Sequence, residues 1–341
     1  MSLKVLMFGD VCGKIGRKAV AKILPELKKK YGPDLVIANV ENLAHGKGTT
    51  VKTLEEMTTA GVDFFTSGDH AFDKNEVNVI LEEKDSLLIR PANFPDGVPG
   101  KGEKVFEIGT KKVLVINLLG RVFMKSQYDC PFKKADEILE KYKDDNLSAI
   151  IVDFHAEATS EKNALGFYLD GRVSAVLGTH THIGTDDLRV LPQGTALITD
   201  IGMVGASDSI LGVDKENILK NFLTQIPQVH EIPEEGLCTV NAVFVEVNNK
   251  NKKAVRIEKI AGCCEIPKTT AEKMMECFTT TIVSTLKGGD EVTLTGFGTF
   301  LPKKRAARTG VNPKEPTKKI QIPAMTVPKF KAGKSFKDAL R

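Results

Sequence analysis

A layered α/β body followed by a small α+β segment is the fold class the sequence predicts, on three observations. Short β-rich runs alternate with helical patterns through the first two thirds of the chain, which is the punctuation of βαβ units. At 341 residues the chain is about twice as long as one ordinary domain. The charge is split: residues 268–341 hold 15 Lys and Arg against 6 Asp and Glu, leaving 33 against 38 for residues 1–267, so a +9 segment follows a −5 body.

The elements can be justified in order. Leu3–Phe8 reads as a first strand. A helix follows through Arg17–Tyr31, with Val20, Ile23, Leu24 and Leu27 on one stripe and Gly32-Pro33 as its stop. Leu35–Asn39 and Asp63–Thr66 read as strands around a helix near Lys52–Ala60. Further strands are expected at Val113–Leu118, Ala149–Phe154, Ser174–Leu177 and Thr195–Thr199, with helices near Lys133–Lys143, Glu161–Tyr168 and Lys215–Leu223. Val243, Val245 and Val247 alternate, Asn248–Lys253 is a polar turn, and Val255 and Ile257 resume, so a hairpin should close the sheet of this body. A new pattern starts at Thr269. Thr269 and Glu272 have capping-box spacing, Met274, Met275, Phe278, Ile282, Val283 and Leu286 recur at helical intervals, and Gly288-Gly289 ends the run. Glu291–Thr295, Thr299–Lys303 and a short closing segment Lys334–Leu340 complete the tail. The boundary is placed near 261–268, giving domains 1–262 and 268–341.

Composition narrows the function classes. Hydrophobic residues make up 41% of the chain, yet no apolar run approaches the ~18 residues a membrane helix requires. A charge at Asp10 closes the first apolar run before any cleavage site, so no signal peptide is expected. Six cysteines without framework spacing fit a reducing cytoplasm.

Side chains able to bind metal fall at the ends of the expected strands. Asp10 follows the first, Glu41-Asn42 the second and Asp69-His70 the third, while His155 and Gly178-Thr179-His180-Thr181-His182 follow two later ones. In an open α/β sheet the carboxyl ends of strands share one crevice. Imidazoles combined with carboxylates suit Mn, Fe or Zn. Gly9, Gly13 and Gly16 do not have G-x-G-x-x-G spacing and read as turn glycines rather than a dinucleotide site.

Gly9-Asp10-Val11, Glu41-Asn42, Gly68-Asp69-His70, Asp153-Phe154-His155-Ala156-Glu157 and Gly178-Thr179-His180-Thr181-His182 together resemble the YmdB-like branch of the calcineurin-type metallophosphoesterases, over about residues 3–260. The resemblance implies a metallophosphoesterase β-sandwich flanked by helices and a centre of two divalent ions, Fe or Mn first and Zn as an option. It implies that Glu41 bridges both ions, that Asp10, Asn42 and His182 hold one, and that Asp69, His155 and His180 hold the other. A metal-bridging hydroxide would attack phosphorus, with His70 as catalytic acid, on phosphodiesters including 2′,3′- and 3′,5′-cyclic nucleotides. One departure stands out: Asp69 takes the place of the family's usual Asn. With Asp10, Glu41 and Asp69 ionised, three ligand charges and a hydroxide cancel two divalent cations, which predicts weaker Lewis acidity or a mixed-valence pair.

The tail resembles the HU/IHF bacterial DNA-binding proteins through Gly296-Phe297-Gly298-Thr299-Phe300, Arg305-Ala-Ala-Arg308, Asn312-Pro313, Ile322-Pro323-Ala324 and Val327–Lys334. That implies a β-ribbon arm entering the minor groove of DNA, Pro313 wedged between base pairs, and Lys303, Lys304, Arg305, Arg308, Lys318 and Lys319 on phosphates. Val311 replaces a common arginine, and no helical pattern precedes Thr269 where the family has its first helix, so the tail reads as a truncated domain. The leading expectation is a cytoplasmic phosphodiesterase held on DNA or the nucleoid, with a homo-oligomer as an option. The alternative is an architectural DNA-binding protein with a weak or inactive phosphoesterase body.

Overall fold

The computed structural model describes the backbone of residues 2–263, 268–312 and 315–339, and their side chains outside 263–277 and 309–322. It divides into two compact units at residue 264. The first unit contains β1 (Ser2–Val11), α1 (Gly13–Tyr31), β2 (Leu35–Asn39), α2 (Val51–Ala60), β3 (Phe64–Thr66), α3 (Val77–Glu82), β4 (Glu103–Ile108), β5 (Lys111–Leu119) and α4 (Pro131–Lys141). It continues with β6 (Ala149–His155), α5 (Thr159–Tyr168), β7 (Ala175–Thr179), β8 (Arg189–Val190), β9 (Ala196–Ile198), β10 (Met203–Ala206), α6 (Lys215–Thr224), β11 (Cys238–Asn248) and β12 (Lys253–Cys263).

Two six-stranded sheets, ordered β12-β11-β10-β1-β2-β3 and β4-β5-β6-β7-β9-β8, face each other. Strand period explains how. On β1, Leu3, Val5 and Met7 enter a core shared with Val113 and Val115 of β5 and Ile151 of β6, so these residues lie between the sheets. The intervening Leu6 and Phe8 point the other way, against Val20, Leu24 and Leu27 of α1. On the second sheet Leu114, Ile116 and Val152 turn outward onto Ala135 and Ile138 of α4 and Leu165 of α5. The result is a helix–sheet–sheet–helix sandwich in which central strands are apolar on both faces, and therefore read in sequence as continuous runs.

α1 buries the expected stripe, although Ile23 is only half-buried. It ends at Gly32, whose φ of 55° and N–H bond to the Lys28 carbonyl form a left-handed C-cap. The expected hairpin is β11–β12, and β11 also pairs antiparallel with β1 and β10. The sequence reading did not include α3, β4, β8 or β10. β4 is a half-exposed edge strand, and β8 has only two residues, so neither carries a periodic signal.

The second unit contains α7 (Lys268–Gly288), β13 (Val292–Leu294), β14 (Gly298–Arg305), β15 (Arg308–Asn312), β16 (Glu315–Ile322), β17 (Met325–Ala332) and α8 (Lys334–Asp338). β13, β14 and β17 form an antiparallel sheet, and β15 and β16 pair as a separate two-stranded ribbon. Phe297 lies 4.7 Å from Phe336 and 5.3 Å from Phe330, and Phe300 lies 4.8 Å from Phe330, so a partly exposed aromatic cluster joins β14, β17 and α8 of this small unit.

Candidate metal centre

β1, β2, β3, β6 and β7 all end on one side of the sandwich, because β1–β2–β3 run parallel in one sheet and β6–β7 in the other. The turns after them bring the expected side chains together. Ligand atoms of Glu41, Asp69, His155 and His180 lie within 4.8 Å of one another, and so do those of Asp10, Glu41 and His182. Glu41 belongs to both groups. The Oδ1 of Asn42 lies 3.2 Å from His182 Nε2, while its Nδ2 donates to the Gly46 carbonyl and so fixes which end points inward.

Each imidazole is oriented from behind. His155 Nδ1 sits 2.9 Å from Thr179 Oγ1, and its Nε2 faces Glu41 Oε2 at 3.2 Å and Asp69 Oδ1 at 3.3 Å. His182 Nδ1 is 2.8 Å from the Leu211 carbonyl, which leaves Nε2 for the site. His180 presents Nδ1 to Asp69 Oδ1 at 3.5 Å and Nε2 to Glu157 at 3.2 Å. His180 and His182 have φ of 103° and 65°. Non-glycine residues held there cost on the order of 1–3 kcal/mol each, so surrounding bonds must hold this loop.

Below the site, buried Asp153 accepts from Thr66, from Thr179 Oγ1 at 2.7 Å and from Asn39 Nδ2 at 3.0 Å. Burial pushes its carboxyl up to about 6, against the pull of His155 and these donors. Burial likewise raises Asp10. Burial acts against charge on His155, yet Glu41 and Asp69 beside it hold its pKa well above the ordinary imidazole range. His182 is raised too, with burial again opposing and the Cys12 thiol and Asp10 prevailing. The anionic groups thus demand positive charge in their midst.

The donor set fits a pair of divalent cations on two further observations. Asp10 Oδ1 is buried without a hydrogen-bond partner among the described residues, while Oδ2 accepts from the His180 N–H at 3.1 Å. A Cβ on Gly68 would lie 2.2 Å from Glu41 Oε2 and 2.4 Å from His155 Nε2, so only glycine lets the turn after β3 pass the cluster. His70 stands beside the set, not within it. Its N–H donates to Glu41 Oε2 at 3.2 Å, and its Nδ1 pairs with Asp73 Oδ2 at 2.9 Å.

Cys12, Thr179, Glu157 and Asp73 were not singled out as supports of the site. Glu157 and Thr179 lie inside the motifs around His155 and His180, but nothing in sequence spacing says that Glu157 meets His180 or that Thr179 meets His155.

In the second unit, Lys303, Lys304 and Arg305 lie on β14 and Arg308 opens the ribbon, all four exposed. Lys318 and Lys319 are on β16, with side chains outside the described residues, and Pro313 lies outside the described residues altogether. No helix among the described residues is long and apolar enough to cross a membrane.

Comparison with known proteins finds two matching families, whose matches overlap at residues 251–260. A family model described as YmdB-like protein matches residues 6–260, and one described as bacterial DNA-binding protein matches 251–341. A 2′,3′-cyclic-nucleotide 2′-phosphodiesterase of Bacillus subtilis is 48% identical over 258 residues, covering 76% of this chain and 96% of that protein. A crystal structure of a phosphatase from Mycoplasma pneumoniae is 39% identical with a TM-score of 0.72, over 77% of this chain and 94% of the other. The DNA-binding protein HU-beta of Salmonella typhimurium is 48% identical over 88 residues, 26% of this chain and 97% of that protein.

Proposed function

Because the chain belongs to the YmdB-like protein family over residues 6–260 and carries a bacterial DNA-binding segment from residue 251, we propose that it is a dinuclear-metal phosphodiesterase for 2′,3′- or 3′,5′-cyclic nucleotides, tethered to DNA by its tail. The observation that carries this reading is the buried Oδ1 of Asp10, without a hydrogen-bond partner among the described residues and 3.7 Å from His155 Nδ1, beside two donor groups that share Glu41.

Asp10, Asn42 and His182 would hold one ion and Asp69, His155 and His180 the other, with Glu41 common to both. When bound, two divalent ions, iron or manganese, supply Lewis acidity toward phosphoryl oxygens and a water acidified toward neutral pH. The chain's own groups do the rest. Thr179, Leu211 and Glu157 fix the imidazole orientations. Asp73 engages His70 Nδ1 and so leaves Nε2 to give a proton to the departing oxygen.

The test is metal analysis of the purified full-length chain with a panel of bis-p-nitrophenyl phosphate, cyclic nucleotides and linear diesters. Two ions per chain and metal-dependent hydrolysis, lost with Glu41→Ala, are the expected result. Asp69, which adds charge where it lowers Lewis acidity, favours a second reading: an architectural DNA-binding protein with a weak catalytic body. Tight, salt-sensitive DNA binding with no hydrolysis under Mn, Fe or Zn would establish that one instead.

A further inference from the structure

The proposed metal centre says nothing of a buried ion pair behind it. Lys162 on α5 is 2% exposed and Asp200, after β9, is 1% exposed, and their Nζ and Oδ2 are 2.7 Å apart. The same Oδ2 accepts from the Thr181 N–H at 3.0 Å and the Thr181 hydroxyl at 2.8 Å, while Oδ1 accepts from the Gly202 N–H at 2.8 Å. Thr181 is the residue between His180 and His182, both in left-handed backbone. A buried carboxylate with four donors is fully satisfied, and removing the lysine would leave it an uncompensated anion whose field reaches Asp10.

We propose that Lys162 and Asp200 form a positioning clamp: Asp200 holds the His180-Thr181-His182 loop in its left-handed geometry, and Lys162 neutralises Asp200 so that this support adds no negative charge to the metal centre. The clamp rests on the metal-centre reading. Its test is Mn(II) binding by the full-length, metal-depleted chain, read from the electron paramagnetic resonance of free Mn(II), for wild type, Lys162→Met, Lys162→Arg, Asp200→Asn and the milder Thr181→Val. Asp170→Asn, which disturbs bonds to Gln193 and Thr195 at the opposite ends of β7 and β9, serves as a control for destabilisation alone. Lys162→Met and Asp200→Asn should weaken Mn(II) binding at least tenfold and Thr181→Val about threefold, with partial rescue in Lys162→Arg and none of the loss in Asp170→Asn. Wild-type affinity in Lys162→Met and Thr181→Val would overturn the clamp while leaving the centre standing. A wild-type chain that takes up no Mn(II) would overturn both.

An independent observation concerns residues 251–263. The two family matches overlap at 251–260, so one stretch is claimed by both units. Here it is β12, the edge strand of the first sheet, paired with β11 from Asn248↔Lys253 to Thr239↔Cys263. Its apolar burial is modest, with Ala254 buried, Ile257 and Ile260 half-buried and Val255 58% exposed, so the ladder to β11 and the bonds of Glu258 to Tyr31 and of Lys259 to the Gly184 and Thr185 carbonyls do most of the holding. Against the expectation that no helical pattern precedes Thr269, Ala254, Ile257, Ile260 and Ala261 fall at i, i+3, i+6 and i+7, the stripe of an amphipathic helix, and the bacterial DNA-binding match begins at residue 251.

We infer that residues 251–263 are exchanged between the units: β12 in the free chain, and an amphipathic helix of the DNA-binding unit when that unit engages duplex DNA. Hydrogen exchange on the full chain tests this, with and without saturating duplex at low salt and binding confirmed by mobility shift. Amides of β11 that face β12 should exchange at least tenfold faster in the complex. A bound complex with unchanged β11 protection overturns the exchange alone. Failure to shift the duplex overturns it together with the DNA-tether reading.

Discussion

Asp69 lies within 3.5 Å of both His155 and His180, and their bonds, prevailing over its partial burial, hold its carboxyl far below the usual carboxylate range. That favours the ionised form of Asp69, and Asp69→Asn removes its charge while keeping an oxygen able to ligate. Turnover of a simple diester should rise about threefold or more, or the preference among Mn, Fe and Zn should shift; identical kinetics across all three metals would remove the idea. Asp153 makes the opposite case. Its pKa is raised by burial to about 6 from an ordinary value of 3.8, so the stability it contributes is fully present below pH ~4 and is lost as pH rises through ~6. Denaturant titrations of the metal-depleted chain should show wild type losing on the order of 2–3 kcal/mol relative to Asp153→Asn between pH 4 and 7. A pH-independent difference between the two would show that Asp153 titrates normally. At this scale the clustered Asp, Glu and His side chains are legible as candidates, since they follow strands in the letters. The residues behind them were not, because Thr179 beneath His155 and Lys162 beneath Thr181 are ordinary letters until the fold places them.

Each turn after β1, β2, β3, β6 and β7 carries one part of the site, and the turn after β3 has the least room. Gly68→Ala places a methyl against Glu41 and His155, so Mn(II) binding should drop at least tenfold. The thermal midpoint of the metal-depleted protein should move by only a few degrees, since φ at Gly68 is not in the left-handed region and the clash is confined to the cluster. Retained metal binding in Gly68→Ala would mean that the turn relaxes and the cluster is looser than it stands here. Strands and helices that bury a face were legible from period: α1 through its stripe, and β1, β2, β6 and β7 through their apolar runs. What the letters did not separate was which residues of those runs face the opposing sheet and which face helices. When both faces are buried, alternation disappears from the sequence, and only the pairing of Leu3, Val5 and Met7 with the second sheet resolves it.

Across the whole chain the charge is split between an acidic body and a basic tail, and the basic charge suits polyanions. The split is readable from composition, but the overlap at 251–260 is not, because β12 sends Ile257 and Ile260 into different cores and the letters alone do not say that one stretch matches two families. A chain ended after Cys263 keeps every ligand and all of β12, so its hydrolysis of bis-p-nitrophenyl phosphate should stay within about twofold of full length. The same truncation removes Lys303, Lys304, Arg305, Arg308, Lys318 and Lys319. If those six cations neutralise phosphates, the full-length chain should lose duplex affinity by about 10³ between 50 and 200 mM salt, following a slope of roughly −0.9 per phosphate contacted. The truncated chain should bind no duplex even at 50 mM. Fluorescence anisotropy with a labelled duplex distinguishes the outcomes, since a shallow salt slope would mean that the ribbon cations do not reach phosphates. Residual binding by the truncated chain would place the nucleic-acid contact on the catalytic body instead. In that case the acidic charge of the body would have to be overcome by contact at the metal centre itself, and added Mn(II) should then strengthen duplex binding.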